Sequence, residues 1–283
     1  MEKLVVCAAT AHAGVRHRYL MLRQVKAFAD RHGYAVRMLW GVTGAVSNYR
    51  HENLFAPIPG VEIRNISTEE LKAIKYFCEK YGEFTYKGEP LRMLRPGETP
   101  GERFFSWDLT GSGALANLVP RPFPQLIARP CSPLQTQVEG YIRANRMESR
   151  LGIRVRAMEL PNQKNRIHRV KSELDAVLHS LYRIPWYVPV FIATDSEYVQ
   201  TMLVAHFADA RFLPKEFTQV EETGRYVHRD DKHAMETFVK EVGCLCACGM
   251  IISFGGFLND SAVQSKIIKE PYSEAALLNV KRA

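Results

Sequence analysis

Short apolar runs alternate with amphipathic stretches of helical period along both halves of the 283-residue chain. Residues 4–9 form an apolar run that suits a buried strand. A loop with His12, Gly14 and Arg16 follows. Tyr19, Leu20, Leu22, Val25, Ala27, Phe28 and Ala29 then recur as on an amphipathic helix, which His32-Gly33 ends. Residues 35–40 predict the next strand. Strand, loop, helix and strand in that order are the unit of a parallel sheet with helical crossovers. A short strand is predicted at 61–66 and a helix at 66–81. Residues 82–133 are rich in Gly, Pro and aromatics and read as an irregular segment, too long to be idle in a compact domain.

The alternation resumes beyond this segment. Helices are predicted at 134–145, 172–182, 197–207, 232–246 and 259–268. Strands are predicted at 151–158, 188–193, 211–213 and 249–253. The chain is therefore expected to be α/β, with two mostly parallel sheets.

Composition narrows the class. Hydrophobic residues make up 46% and charged residues 24%, which provides for a sizeable core and excludes wholesale disorder. Lys and Arg number 38 against 30 Asp and Glu, a balance of +8 that suits an anionic partner. The basic residues are spread along the chain rather than gathered in one arm, which argues against nucleic acid. Six cysteines at irregular spacing read as reduced thiols of a cytoplasmic protein. Cys244, Cys246 and Cys248 read as core thiols on one side of a strand rather than zinc ligands. No run reaches the ~20 apolar residues of a membrane-spanning helix, and no cleavable leader pattern is present. Basic residues leave room for contact with a membrane surface.

In an open parallel sheet, ligands bind where strands end at the carboxyl edge. Four places fit. Gly14-Val15-Arg16-His17-Arg18 is a basic loop after the first strand, with neither the dinucleotide nor the phosphate-loop glycine pattern. Arg154 and Arg156 project from one face of their strand and suit bidentate phosphate binding, although a solvated edge pair fits equally well. Thr194-Asp195-Ser196 places a carboxylate where it can accept from a ribose or base, and the same residue types cap helices. Ser253-Phe254-Gly255-Gly256-Phe257 offers backbone N–H groups to a phosphate at a strand-to-helix turn. His228 and His233 flank a mixed-charge stretch that reads as a solvated loop, not a metal site.

On these residues the chain resembles the bacterial nodulation fucosyltransferases and the related α1,6- and protein O-fucosyltransferases, GT-B glycosyltransferases that use GDP-fucose. Gly14, His17, Arg18 and Gly33 stand where the family has its G-x-G-N-R-like loop and helix-ending glycine. The strand ending in Trp40, then Asn53-Leu54-Phe55 and Pro57-Ile58, is also similar. Arg154, Arg156 and Glu159 align with the central H-x-R-x-x-D motif, with Arg in place of His and Glu in place of Asp. Residues 191–196 match a strand ending in Thr-Asp, and 212–217 (FLPKEF) also look like the family. Glu241 aligns with an Asp that recognises guanine, and Ser253 to Phe257 with the last glycine turn.

The resemblance implies two facing Rossmann-like domains, 1–133 on the acceptor side and 134–283 binding the nucleotide sugar. It implies that Arg156 binds the pyrophosphate and assists departure of GDP, and Arg154 would add positive charge. Displacement with inversion also needs a base near the acceptor, for which Glu159 is the best-placed carboxylate. Gly14, His17, Arg18, Asp195, Ser196, Glu241, Ser253, Phe254, Gly255, Gly256 and Phe257 would contact the donor. Arginine in place of a metal makes metal ions and cofactors unnecessary. The expected partners are a nucleotide sugar and a glycan or small-molecule acceptor. The competing expectation is a non-catalytic relative that binds glycan or protein.

Overall fold

The computed structural model describes residues 3–9, 15–42, 49–107, 115, 118, 129–156, 167–220, 224–226 and 232–254. The chain divides into two compact units, Met1–Cys131 and Ser132–Ala283.

The first unit runs β1 (Leu4–Ala8), α1 (Val15–His32), β2 (Ala35–Gly41), α2 (His51–Leu54), β3 (Val61–Ile66), α3 (Thr68–Tyr81), β4 (Glu83–Tyr86), β5 (Glu89–Met93) and β6 (Arg103–Trp107). Its six strands lie in the order β3-β2-β1-β6-β5-β4. All neighbours are parallel except β4 and β5. β1 is buried at every position, as a central strand covered on both faces must be. α3 starts at a capping box, in which the Ser67 hydroxyl and the Glu70 carboxylate each accept the other's backbone N–H. It turns Leu71, Ile74 and Cys78 inward.

The segment expected to be irregular from residue 82 carries three strands before residue 108. β4 and β5 form a hairpin whose two turn residues, Lys87 and Gly88, both have positive φ, the geometry that suits strand twist. β5 pairs with β6 only through Arg92 and Met93, which keeps Pro90 clear of that ladder. Gly88 sits in the tight turn between β4 and β5, whereas Pro96, Gly97, Pro100 and Gly101 lie in the irregular connection of residues 94–102 between β5 and β6.

The second unit runs α4 (Ser132–Asn145), a 3-10 turn (Met147–Ser149), β7 (Leu151–Val155), α5 (Ile167–Leu181), β8 (Val190–Thr194), α6 (Glu197–His206), β9 (Ala210–Arg211), β10 (Thr218–Val220), β11 (Gly224–Tyr226), α7 (Lys232–Ala247) and β12 (Met250–Phe254). β12-β7-β8-β9 is a parallel sheet, and β10 and β11 form a separate antiparallel pair. The period-two alternation sends Ile153, Val155, Val190 and Ile192 into one core with Leu174 and Leu178 of α5 and Leu203 of α6. It sends Phe191, Ala193 and Ile251 into the opposite core with Val138 of α4 and Leu245 of α7.

α7 can approach this closely because of two glycines. A Cβ on Gly243 would lie 2.7 Å from Val138 Cγ1, and one on Gly152 would lie 3.0 Å from Leu245 Cδ2. Cys244 and Cys246 are on the last turns of α7, as the helix predicted at 232–246 has it and the strand reading of the cysteine run does not, and Cys248 just follows it. Cys244 and Cys248, four apart, are buried as helical period requires, and burial pushes the Cys244 thiol up to about 12.

Part of the basic excess is structural. Arg37 reaches Glu62 at 2.7 Å and Glu89 at 2.5 Å. Arg150 is buried and donates to the Asp209 carboxylate at 2.9 Å and to the Asn145 carbonyl at 2.6 Å.

Candidate functional site at the carboxyl edge of the second sheet

Arg154, Arg156 and Asp195 lie at or just beyond the carboxyl ends of β7 and β8. Arg154 lies on β7 in register with Ser253 on one side and Ala193 on the other. It is buried, at 6% exposure. Arg156 follows β7; its amide still donates to the Phe254 carbonyl at 3.0 Å, so the backbone ladder holds it in line. Unlike Arg154, Arg156 is partly exposed, so the two guanidiniums are not an equivalent pair.

At the end of β8, the Ser196 amide donates to the Thr194 hydroxyl at 3.2 Å. The Ser196 hydroxyl accepts from Val199 N, which makes it the N-cap of α6. The cap accounts for Ser196, buried at 1%. Asp195, between them, is only partly buried.

The organising contact comes from Lys215, in the loop after β9. Its ammonium donates to the Thr194 carbonyl at 2.7 Å and pairs with the Glu241 carboxylate of α7. Burial raises the Glu241 pKa and Lys215 opposes the rise; the Asp195 charge raises it further and Arg154 lowers it. Lys215 and Glu241 are thus in direct contact, and Arg154 and Asp195 act on Glu241 electrostatically. An arrangement of this kind, at the edge where parallel sheets bind ligands, offers acceptors to a base or ribose and cations to a phosphate.

The predicted residues divide accordingly. Arg154 and Asp195 act electrostatically on Glu241, and Arg156, Ser253 and Phe254 lie at the neighbouring strand ends. Gly14, Glu159, Gly255, Gly256 and Phe257 lie outside the described residues. Lys215 was not singled out from the sequence, although it stands in the FLPKEF stretch. A lysine between a proline and a glutamate carries no local mark of burial.

In the first unit, His17 and Arg18 are not on a loop. α1 begins at Val15, so both lie in its first turns. Arg18 is buried at 1%, donates to the Gly41 carbonyl at 2.7 Å and lies 4.6 Å from the Trp40 ring centre. Burial lowers its pKa to about 10. Beside it, Tyr19 hydrogen-bonds His51 Nε2 at 3.0 Å, and burial lowers the His51 pKa to about 4. His51 also lacked a signal in the sequence.

Among the described residues, no three His, Cys, Asp or Glu side chains gather as metal ligands, and no helix is long and apolar enough to cross a membrane.

No protein-family model matches the chain, and no curated protein matches it in sequence. Solved structures do. The fucosyltransferase NodZ from Bradyrhizobium aligns with a TM-score of 0.52 and 14% identity, over 93% of this chain and 91% of that one. The NodZ α-1,6-fucosyltransferase soaked with GDP-fucose aligns at 0.50 and 14% identity, over 94% and 91%. The same enzyme co-crystallized with GDP aligns at 0.50 and 14%, over 93% and 91%. The chain therefore has the GT-B-like α/β fold of these fucosyltransferases, the family whose resemblance its motifs carry.

Proposed function

We propose that the protein is a glycosyltransferase that takes a fucose-like sugar from a GDP-linked donor and passes it to a glycan or small-molecule acceptor. The observation that carries this reading is the Lys215–Glu241 pair held at the end of β8, with Arg154 and Asp195 acting on Glu241 electrostatically. The GDP and GDP-fucose named for the NodZ structures support the choice of nucleotide.

In this reading Glu241 accepts from the guanine and Asp195 from the ribose. Arg156, the more exposed arginine, meets the diphosphate, with Ser253, Phe254 and the glycines after them as backbone donors. An acceptor hydroxyl attacks the anomeric carbon. The bond from that carbon to the β-phosphate oxygen breaks, its electron pair leaves with GDP, and the hydroxyl proton passes to Glu159. Arg156 is catalytic because the diphosphate gains charge as this bond breaks, so the arginine stabilises the transition state more than the bound donor. No metal ion is needed in this scheme. Residues 1–133 would supply the acceptor side.

Calorimetric titration with GDP and GDP-fucose tests the reading, with binding expected. Arg156→Ala is expected to lower sugar transfer by about a hundredfold or more while the protein stays folded. Near-normal turnover in that variant would refute the role of Arg156.

One observation favours a second reading. Arg154 is buried and acts electrostatically on Glu241, at a position where the resemblance has a histidine, and a buried cation of this kind serves binding without catalysis. A non-catalytic protein would bind GDP-fucose and release no sugar from it, to water or to any acceptor.

A further inference from the structure

We infer that Lys215 is a positioning residue that keeps Glu241 an ionised acceptor and thereby gives the β8–α7 edge its preference for guanine over adenine. The inference rests on the functional reading above and assigns to Lys215 a role that reading does not contain.

The geometry is specific. The Lys215 side chain is 2% exposed and that of Glu241 12%. Lys215 is anchored from the other side by the carbonyl of Thr194, the last residue of β8, and is preceded by buried Leu213. The ammonium therefore ties the end of a central strand to the helix that carries the carboxylate.

The chemistry follows from donor and acceptor counts. An ionised carboxylate only accepts, through two oxygens; a protonated one donates as well. The pairing edge of guanine presents two adjacent donors, N1–H and the 2-amino group, which match the ionised form. Adenine presents one donor beside one acceptor, which match the protonated form.

Lys215 from the loop after β9 pairs with Glu241, and Asp195 after β8 and Arg154 on β7 act on it electrostatically. Cys244 lies on the same helix, its thiol pushed up by burial and by Glu241, and Tyr141 of α4 faces Cys244 in turn. Among the described residues Lys215 is the cation in contact with the Glu241 carboxylate. Without it that buried carboxylate loses its ion-pair partner, and Glu241 takes up a proton.

The test is calorimetric titration of the full chain with GDP and with ADP between about pH 6 and 8.5, below the range where guanine itself loses its N1 proton. Wild type is expected to bind GDP with an affinity that changes less than about threefold over this range and to prefer it to ADP. Lys215→Met is expected to bind GDP about tenfold more weakly at the acid end, and to recover as rising pH ionises Glu241. Lys215→Arg should restore the flat profile. Glu241→Gln should lose the preference for GDP over ADP at every pH, and it provides the readout if Lys215→Met fails to fold by circular dichroism.

A purely structural role would weaken GDP equally at all pH values. That result, or a Lys215→Met profile identical to wild type, overturns the inference and leaves the functional reading standing. So does an unchanged preference in Glu241→Gln. Absence of GDP binding by wild type overturns the functional reading and the inference with it.

Discussion

At the end of β2, Arg18 lies against the Trp40 ring and donates to the Gly41 carbonyl, with Tyr19, His51 and Phe55 packed around Trp40. At the end of β7 and β8, Arg154 is buried and acts electrostatically on Glu241, which Lys215 pairs with and Asp195 also influences. Both places are carboxyl edges of central parallel strands, and both hold a buried arginine. The neighbours separate them. Aromatic rings and a backbone carbonyl absorb the first guanidinium into packing, and its pKa falls to about 10. Carboxylates and a second cation leave the other cluster with polar groups of both signs. Topology marks the edge, and the residues beside the cation decide whether it packs or can meet a ligand.

The largest expected break in this contrast is by pH. His51 in the first unit is buried, and its pKa is lowered from 6.5 to about 4. The folded protein keeps it neutral while the unfolded chain protonates below about 6.5. Its contribution is complete above that value and is lost as pH falls towards 4, about 3 kcal/mol in all. Urea denaturation across this range should show the fall, and His51→Gln should remove that part of the slope. An unchanged slope in the variant would mean that the aromatic cluster does not hold His51 neutral.

A smaller effect belongs to the second unit. Gly243→Val would press a side chain into Val138 and separate α7 from α4, at a cost of about 2 kcal/mol. Since α7 carries Glu241, the same variant should weaken GDP binding; stability lost with GDP affinity intact would detach the site from this packing.

The smallest is Arg18→Leu, which keeps apolar packing on Trp40 and removes the bond to Gly41. A loss of about 1 kcal/mol is expected by urea denaturation. A loss several times larger would show that Arg18 carries more than packing and one hydrogen bond.

Much of the fold was legible because period and punctuation are local. The apolar run at 4–9, the helix ending at Gly33 and the alternating residues of β7 and β8 all report their own environment. The three strands between residues 82 and 108 were not legible. Each is four or five residues long, and their turn residues outweigh so few apolar positions. The cysteine run misled for a related reason: a two-residue spacing suits a strand, while burial of Cys244 and Cys248 follows the four-residue spacing of a helix. In the site, Arg154, Asp195 and Glu241 were marked by strand ends and by the family resemblance. Lys215 was not, because its partners are a strand carbonyl 21 residues earlier and a helix carboxylate 26 residues later.

The sequence by itself determined the α/β alternation and where the central strands end. Those follow from hydrophobic period and from glycine stops. Only the tertiary structure decided which charged residues are held in packing and which meet. The charge state of Arg18, His51 or Glu241 depends on burial and on partners distant in the chain, and neither is a property of a residue's neighbours in sequence.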